Sequence, residues 1–244
     1  MNLEIVIVPD AEALSHEAAR RFTRLALRAI ADRGRFSVVL SGGTTPGALY
    51  RRLADDPHRA QIPWRQVHLF WGDERCVPPD HPGSNFRLAD EALISRVPIP
   101  PGNVHRVRGE LAPQAAAQAY AVELRAFSGA SGPHFDLVLL GLGQDGHTAS
   151  LFPGSDALDE KVRPVVAVTA QYQDRPAQRV TLTPPAINAA RHVLFLVSGS
   201  SKAEIVQAVL EGPPERLPAQ QIRPTTGRLT WLIDAPAASR LTAP

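Results

Sequence analysis

One segment of the 244-residue chain concentrates groups able to do acid–base chemistry: Gly141-Leu142-Gly143-Gln144-Asp145-Gly146-His147. Three glycines in six residues let the backbone turn tightly and bring its N–H groups close to a ligand, because no Cβ stands in the way. Asp145 and His147 add a carboxylate and an imidazole two residues apart. An anion-cradling backbone beside a group that titrates near neutrality is what acid–base chemistry on a phosphorylated substrate requires. The competing reading of His147 is a structural histidine, hydrogen-bonded within its loop. Gly141-x-Gly143-x-x-Gly146 also matches a dinucleotide fingerprint. It lies past the middle of the chain, however, and Asp145 would set a negative charge where a pyrophosphate should sit. No acidic residue closes a strand about 20 residues further on; Asp159 and Glu160 fall in a polar loop. A metal site is disfavoured, since Asp145 and His147 supply two ligands and no His-x-x-x-His or Cys pair completes a set.

Four other segments carry polar chemistry. Ser41-Gly42-Gly43-Thr44-Thr45-Pro46 offers consecutive N–H groups, hydroxyls and the start of a helix, which together suit a phosphate. It is not a Walker loop, because Ala48-Leu49 stand where Lys and Ser/Thr are needed; a plain glycine turn is the alternative. Asp73-Glu74-Arg75 places three charges at the end of an apolar run, where charge is costly unless paired or used. A surface salt-bridge cluster is the alternative there, and the adjacent Cys76 reads as a small buried hydrophobe rather than a nucleophile. Arg179, opening a strand with Thr181 and Thr183, and Lys202, one of only two lysines, could each hold a phosphate dianion or be solvated surface charges. No Gly-x-Ser-x-Gly elbow is present, which disfavours an α/β-hydrolase serine.

The elements that must position these groups follow from apolar periodicity. Strands are expected at Leu3–Val8, Phe36–Leu40, Val67–Trp71, Phe135–Leu140, Val165–Val168, Arg179–Leu182, His192–Val197 and Leu229–Ile233. Helices are expected at Ala11–Asp32 with Asp10 as N-cap and Leu14, Ala18, Phe22, Leu25 and Ala29 facing inward, and at Gly47–Ala54, Asn85–Leu93, Ala112–Phe127, Pro185–Ala190 and Ser201–Leu210. This alternation argues for an α/β fold with a mainly parallel sheet covered on both faces. Four Gly-rich or charged loops, beginning at Ser41, Gly72, Gly141 and Ser198, each follow a strand. In an open parallel sheet those strand ends share one edge, where ligands bind, so the four loops read as one site.

Bulk properties are those of a globular chain of a single domain, residues 1–244. A net charge of +2 gives no case for nucleic acid, and no apolar run approaches the roughly 18 residues that span a bilayer. Met1-Asn2-Leu3-Glu4 offers no basic segment and no apolar h-region, so no signal peptide is expected. The single Cys76 excludes an internal disulfide and fits a reducing compartment.

With these residues in place, the chain resembles the 6-phosphogluconolactonases related to glucosamine-6-phosphate deaminase. The resemblance spans nearly the whole chain. It rests on Ser41-Gly42-Gly43-Thr44-x-Pro46, on Asp73-Glu74-Arg75-x-Val77-Pro78 with Ser84-Asn85, and on Gly141-Leu142-Gly143-x-Asp145-Gly146-His147-x-Ala149-Ser150-Leu151-Phe152-Pro153. Arg179-x-Thr181 and Ser201-Lys202-Ala203 match weaker features. The resemblance implies a Rossmann-like parallel sheet with extra strands, a cytoplasmic enzyme and no required cofactor or metal. It implies hydrolysis of 6-phospho-D-glucono-1,5-lactone to 6-phosphogluconate in the oxidative pentose phosphate pathway. Deaminases of this type resemble Asp-Glu-Tyr at positions 73–75 and carry a catalytic Glu at the position of Phe152, so the lactonase reading is preferred.

The mechanism expected from the resemblance is direct water attack. His147 is the general base, Asp145 orients the imidazole or the water, and loop N–H groups or Arg75 stabilise the oxyanion. Ser41, Gly42, Gly43, Thr44, Thr45, Asp73, Arg179 and Lys202 hold the substrate and its phosphate. A monomer acting on a small phosphorylated sugar lactone, with neither nucleic acid nor membrane as partner, is the expected state. A deaminase-like sugar-phosphate isomerase and a non-catalytic sugar-phosphate sensor are the alternatives.

Overall fold

Strand β1 (Asn2–Val8) turns at Asp10 into α1 (Ala11–Arg33), whose start is fixed by the Asp10 carboxylate accepting from Ala13 N at 2.8 Å. The computed structural model describes residues 2–129, 132–170, 176–214 and 216–242. Leu14, Ala18, Phe22, Ala26 and Ala29 form the buried stripe of α1, with Leu25 only half-buried. Strand β2 (Phe36–Leu40) is buried along its whole length, as a central strand with helices on both faces must be.

Helix α2 (Thr44–Leu53) begins three residues earlier than the sequence predicts. Gly43, at φ 105°, supplies a turn that lets Thr44 and Thr45 enter the helix as its first turn. The short α3 (His58–Gln61) precedes β3 (Val67–Trp71). Then come β4 (Asp73–Arg75), α4 (Asn85–Ala92), α5 (Pro113–Ser128) and β5 (Leu137–Leu140). The chain continues through β6 (Val165–Thr169), β7 (Gln178–Leu182), α6 (Pro184–Asn188) and β8 (His192–Val197). It closes with α7 (Ala203–Leu210), β9 (Arg228–Asp234) and α8 (Ala235–Ala238).

Six strands form one sheet in the order β1-β9-β8-β5-β2-β3, every neighbouring pair parallel. From β2 the chain moves outward to β3 on one side, then returns to place β5 on the other. The carboxyl ends of β2 and β5 therefore border the crevice at the switch of direction, where open α/β sheets bind ligands.

The expected strands at Val165–Val168 and Arg179–Leu182 exist but lie outside this sheet. They join β4 in a separate antiparallel sheet of order β4-β7-β6. Asp73-Glu74-Arg75, read as a loop, is thus a short strand whose Arg75 stands opposite Arg179. Its three charged residues give no strand signal, because the pairing partner lies a hundred residues away.

Candidate active site at the carboxyl edge of the sheet

The loop after β5 folds on itself. Gly143 N donates to His147 O at 2.8 Å, and Gly146 N to Gly143 O at 3.1 Å. The His147 ring lies directly over Gly143: a Cβ there would fall 2.0 Å from Nδ1, so only glycine admits the imidazole. His147 Nδ1 meets Asp145 Oδ1 at 2.5 Å, and the same oxygen accepts from His147 N at 3.2 Å. An ionised carboxylate only accepts, so the proton of the neutral ring sits on Nδ1 and Nε2 presents the lone pair. The ring packs at a tilt against Phe152, with centroids 4.9 Å apart and planes at 49°. Thr148 Oγ1 donates to Gly141 O at 2.8 Å, closing the base of the loop.

Downstream, the same segment is bolted to the second sheet. Ser150 Oγ donates to Asp73 Oδ2 at 2.7 Å, and Ser150 N donates to Thr181 Oγ1 at 3.2 Å. Ala149, just before it, has φ 50° and is the only non-glycine residue at positive φ among the described residues. Such strain persists where the surroundings over-determine the backbone, and here it sits two residues from His147.

Asp73 is buried, and its carboxylate is already engaged by Ser150 and by Asn85 Nδ2 at 3.2 Å. It frames the site from below. Glu74, 2% exposed, accepts from Arg75 N, Asn85 N, Ser84 Oγ and Phe86 N, and so ties β4 to the start of α4. Burial pushes its carboxyl above the usual range against the pull of those backbone donors. Gly42 touches this cluster, since a Cβ on it would fall 2.0 Å from Asn85 Oδ1.

The expected cations reach the site unequally. Lys202 Nζ donates to Leu142 O at 2.7 Å, which sets the ammonium on the loop that carries His147. Arg179 is buried, its guanidinium carbon 5.6 Å from the centroid of the Phe152 ring that His147 also approaches. Arg75 Nη1 donates to Gly83 O at 2.6 Å, and its buried Nε meets no hydrogen-bond partner among the described residues.

In the Ser41–Thr45 segment, Ser41 N donates to the Tyr50 hydroxyl at 2.9 Å, and that hydroxyl donates back to Ser41 O at 2.6 Å. Burial raises the Tyr50 phenol well above its ordinary range, which keeps it neutral. Ser41 therefore shapes the loop. The N–H groups of Thr44 and Thr45, in the first turn of α2, have no intrahelical acceptor.

Three contributors escaped the sequence reading. Tyr50 locks Ser41, and Ser150 links the histidine loop to Asp73. Asp234, the last residue of β9, accepts from Ser198 Oγ and Gly199 N in the turn before Lys202. Ser150 lay inside a recognised motif; the other two gave no signal beyond their residue type.

None of these residues lines a groove of about 610 Å³ between α5 and β6 bounded by Gln118, Arg125 and Val166. Among the described residues no group of three or more His, Cys, Asp or Glu side chains is placed to hold a metal ion. Among them, too, no helix is long and apolar enough to cross a membrane.

The pattern of the family described as Glucosamine-6-phosphate isomerases/6-phosphogluconolactonase matches residues 9–231. The chain is 41% identical over 247 residues to a 6-phosphogluconolactonase of Synechocystis sp., covering 99% of each protein. It is 39% identical over 249 residues to the chloroplastic 6-phosphogluconolactonase 3 of Arabidopsis thaliana, covering 98% of this chain and 74% of that one. The solved 6-phosphogluconolactonase from Trypanosoma cruzi superposes with a TM-score of 0.87 at 30% identity, covering 100% of this chain and 99% of the other.

Proposed function

The chain belongs to the glucosamine-6-phosphate isomerase/6-phosphogluconolactonase family, and we propose that, as a single catalytic domain in the cytoplasm, it hydrolyses 6-phospho-D-glucono-1,5-lactone to 6-phosphogluconate. The observation that carries this reading is the His147–Asp145 pair, set at 2.5 Å over Gly143 at the edge where β2 and β5 diverge. Nε2 of the neutral ring takes a proton from a water molecule as its oxygen adds to the lactone carbonyl. Asp145 stabilises the imidazolium that forms. The tetrahedral oxyanion is met by Arg75 and by loop N–H groups other than those of Gly143, Gly146 and His147, which are spent within the loop. Collapse of the adduct breaks the bond from the carbonyl carbon to the ring oxygen. That oxygen takes the proton back from His147 and leaves as the hydroxyl of the open-chain acid.

Lys202, Arg179 and the Gly42–Thr45 backbone hold the substrate phosphate, while Asp73 sets the frame through Ser150. The protein works as a monomer in the oxidative pentose phosphate pathway. An isomerase of the deaminase type needs a proton-carrying carboxyl beside the imidazole; Phe152 fills that place with a ring 4.9 Å from His147.

Freshly generated lactone, added to purified protein in weak buffer, tests the reading through acid release. The expected result is a rate proportional to enzyme concentration after the spontaneous rate is subtracted. Unaccelerated hydrolysis, together with ammonia release from glucosamine 6-phosphate, would point to the isomerase instead.

A further inference from the structure

Asp234 closes β9 beside the end of β8, where Val197 pairs with Ile233. It is 2% exposed, and no lysine, arginine or histidine pairs with it within 4 Å among the described residues. Its carboxylate is satisfied entirely by N–H and O–H groups. Oδ1 accepts from Ala237 N at 2.9 Å and so caps α8; Oδ2 accepts from Ser198 Oγ at 2.5 Å; Gly199 N reaches both oxygens at 3.0 Å. A four-residue helix needs one capping oxygen, and a serine or asparagine provides it without burying a charge. The second oxygen serves the Ser198–Gly199 turn alone.

That turn carries the cation. Lys202 N donates to Gly199 O at 3.0 Å, and Lys202 Nζ donates to Leu142 O at 2.7 Å. A continuous path of hydrogen bonds thus runs from Asp234 through Gly199 and Lys202 to the loop bearing His147. We propose that Asp234 is a positioning residue that fixes where Lys202 meets the phosphate of the substrate; the inference rests on the lactonase reading above. Asp234 touches no reacting atom. Its effect is conveyed by the turn, so it acts on recognition of the phosphorylated end and leaves the chemistry at the carbonyl alone.

The test is a double-mutant cycle between Asp234→Asn and Lys202→Ala, with Ser198→Ala as a milder variant that removes only the Oδ2 contact. Each protein is assayed on the 6-phosphorylated lactone and on unphosphorylated glucono-1,5-lactone. Asp234→Asn and Ser198→Ala are expected to raise KM for the phosphorylated lactone by roughly 5–20-fold, within the loss expected when one charge-assisted hydrogen bond is removed. They should leave kcat within about 3-fold and the unphosphorylated reaction unchanged. In the Lys202→Ala background the same substitutions should add less than about 2-fold, because the path is already cut. Equal losses on both lactones, or full losses that persist without Lys202, overturn the proposal and leave Asp234 as a strand-end cap. A Lys202→Ala protein with undiminished preference for the phosphorylated lactone overturns it as well. Inactivity of the unsubstituted protein on the phosphorylated lactone would instead bring down the functional reading on which the proposal stands.

Discussion

The two edges of the parallel sheet handle buried acid in opposite ways. At the amino edge Asp136 is held by Arg33 at 2.9 Å and faces Arg191 at 3.5 Å, while its other oxygen takes the N–H and hydroxyl of Ser37. At the carboxyl edge Asp73, Glu74 and Asp234 are met by backbone N–H groups, hydroxyls and an amide. Among the described residues no lysine or arginine side chain forms an ion pair with any of the three. The first arrangement spends cations to neutralise acid and serves stability. The second satisfies the acids with dipoles. The difference sets the edge that carries the His147 loop apart from the amino edge.

His147→Gln should damage the carboxyl edge most. It is expected to lower kcat by roughly 10²–10⁴-fold while the thermal midpoint stays within a few degrees, as read by steady-state kinetics and calorimetry. A folded variant with near-normal kcat would remove His147 from the role of base. The converse experiment is Asp136→Ala at the amino edge. It strands the buried Ser37 N–H and should cost about 1–3 kcal/mol in urea unfolding, with kcat changed less than about 2-fold. A comparable fall in kcat would break the separation of the two edges.

A pH series sharpens the same contrast. Burial first, then His105 and Arg35, lowers the His68 imidazole near the start of β3 to about 4. Unfolded, it titrates near its ordinary value, so between about pH 6.5 and 4 the unfolded state binds more protons. The stability contributed by neutral His68 is present above that window and is lost as pH falls through it. His68→Gln should flatten the slope of unfolding free energy against pH there; an unchanged slope would place the acid sensitivity elsewhere. The smallest effect is expected from Cys76→Ser. Burial and then Glu74 raise this thiol above its ordinary range, which makes it a poor thiolate despite its place beside the site. Activity within about 2-fold of the parent is predicted, and trapping of an acyl group on Cys76 would overturn water as the nucleophile.

The sequence foretold these features unevenly, for physical reasons. Phe36–Leu40, Val67–Trp71 and His192–Val197 were legible to the residue, because largely buried parallel strands are short, mostly apolar runs. The Asp145–His147 pair was legible because both groups fall in one glycine loop. The start of α2 was misplaced, since Pro46 drew the boundary that the backbone of Gly43 actually sets. The second sheet was hidden, because β4 is three charged residues paired with a strand a hundred positions away. The positive φ of Ala149 and the link from Asp234 to the Lys202 turn depend on contacts between distant segments, which no local pattern records.

The central claim is that Lys202 and Arg179 hold the phosphate of a phosphorylated lactone, and Lys202→Ala and Arg179→Ala test it most directly. Each should be assayed for kcat/KM on 6-phospho-D-glucono-1,5-lactone and on its unphosphorylated counterpart. A charge-assisted hydrogen bond to a dianion is worth about 1.5–3 kcal/mol. Each loss should therefore reduce kcat/KM on the phosphorylated lactone by roughly 10–150-fold. The unphosphorylated lactone should lose far less. Equal losses on both lactones would contradict the account, assigning these residues to the architecture or to the chemistry and not to the phosphate.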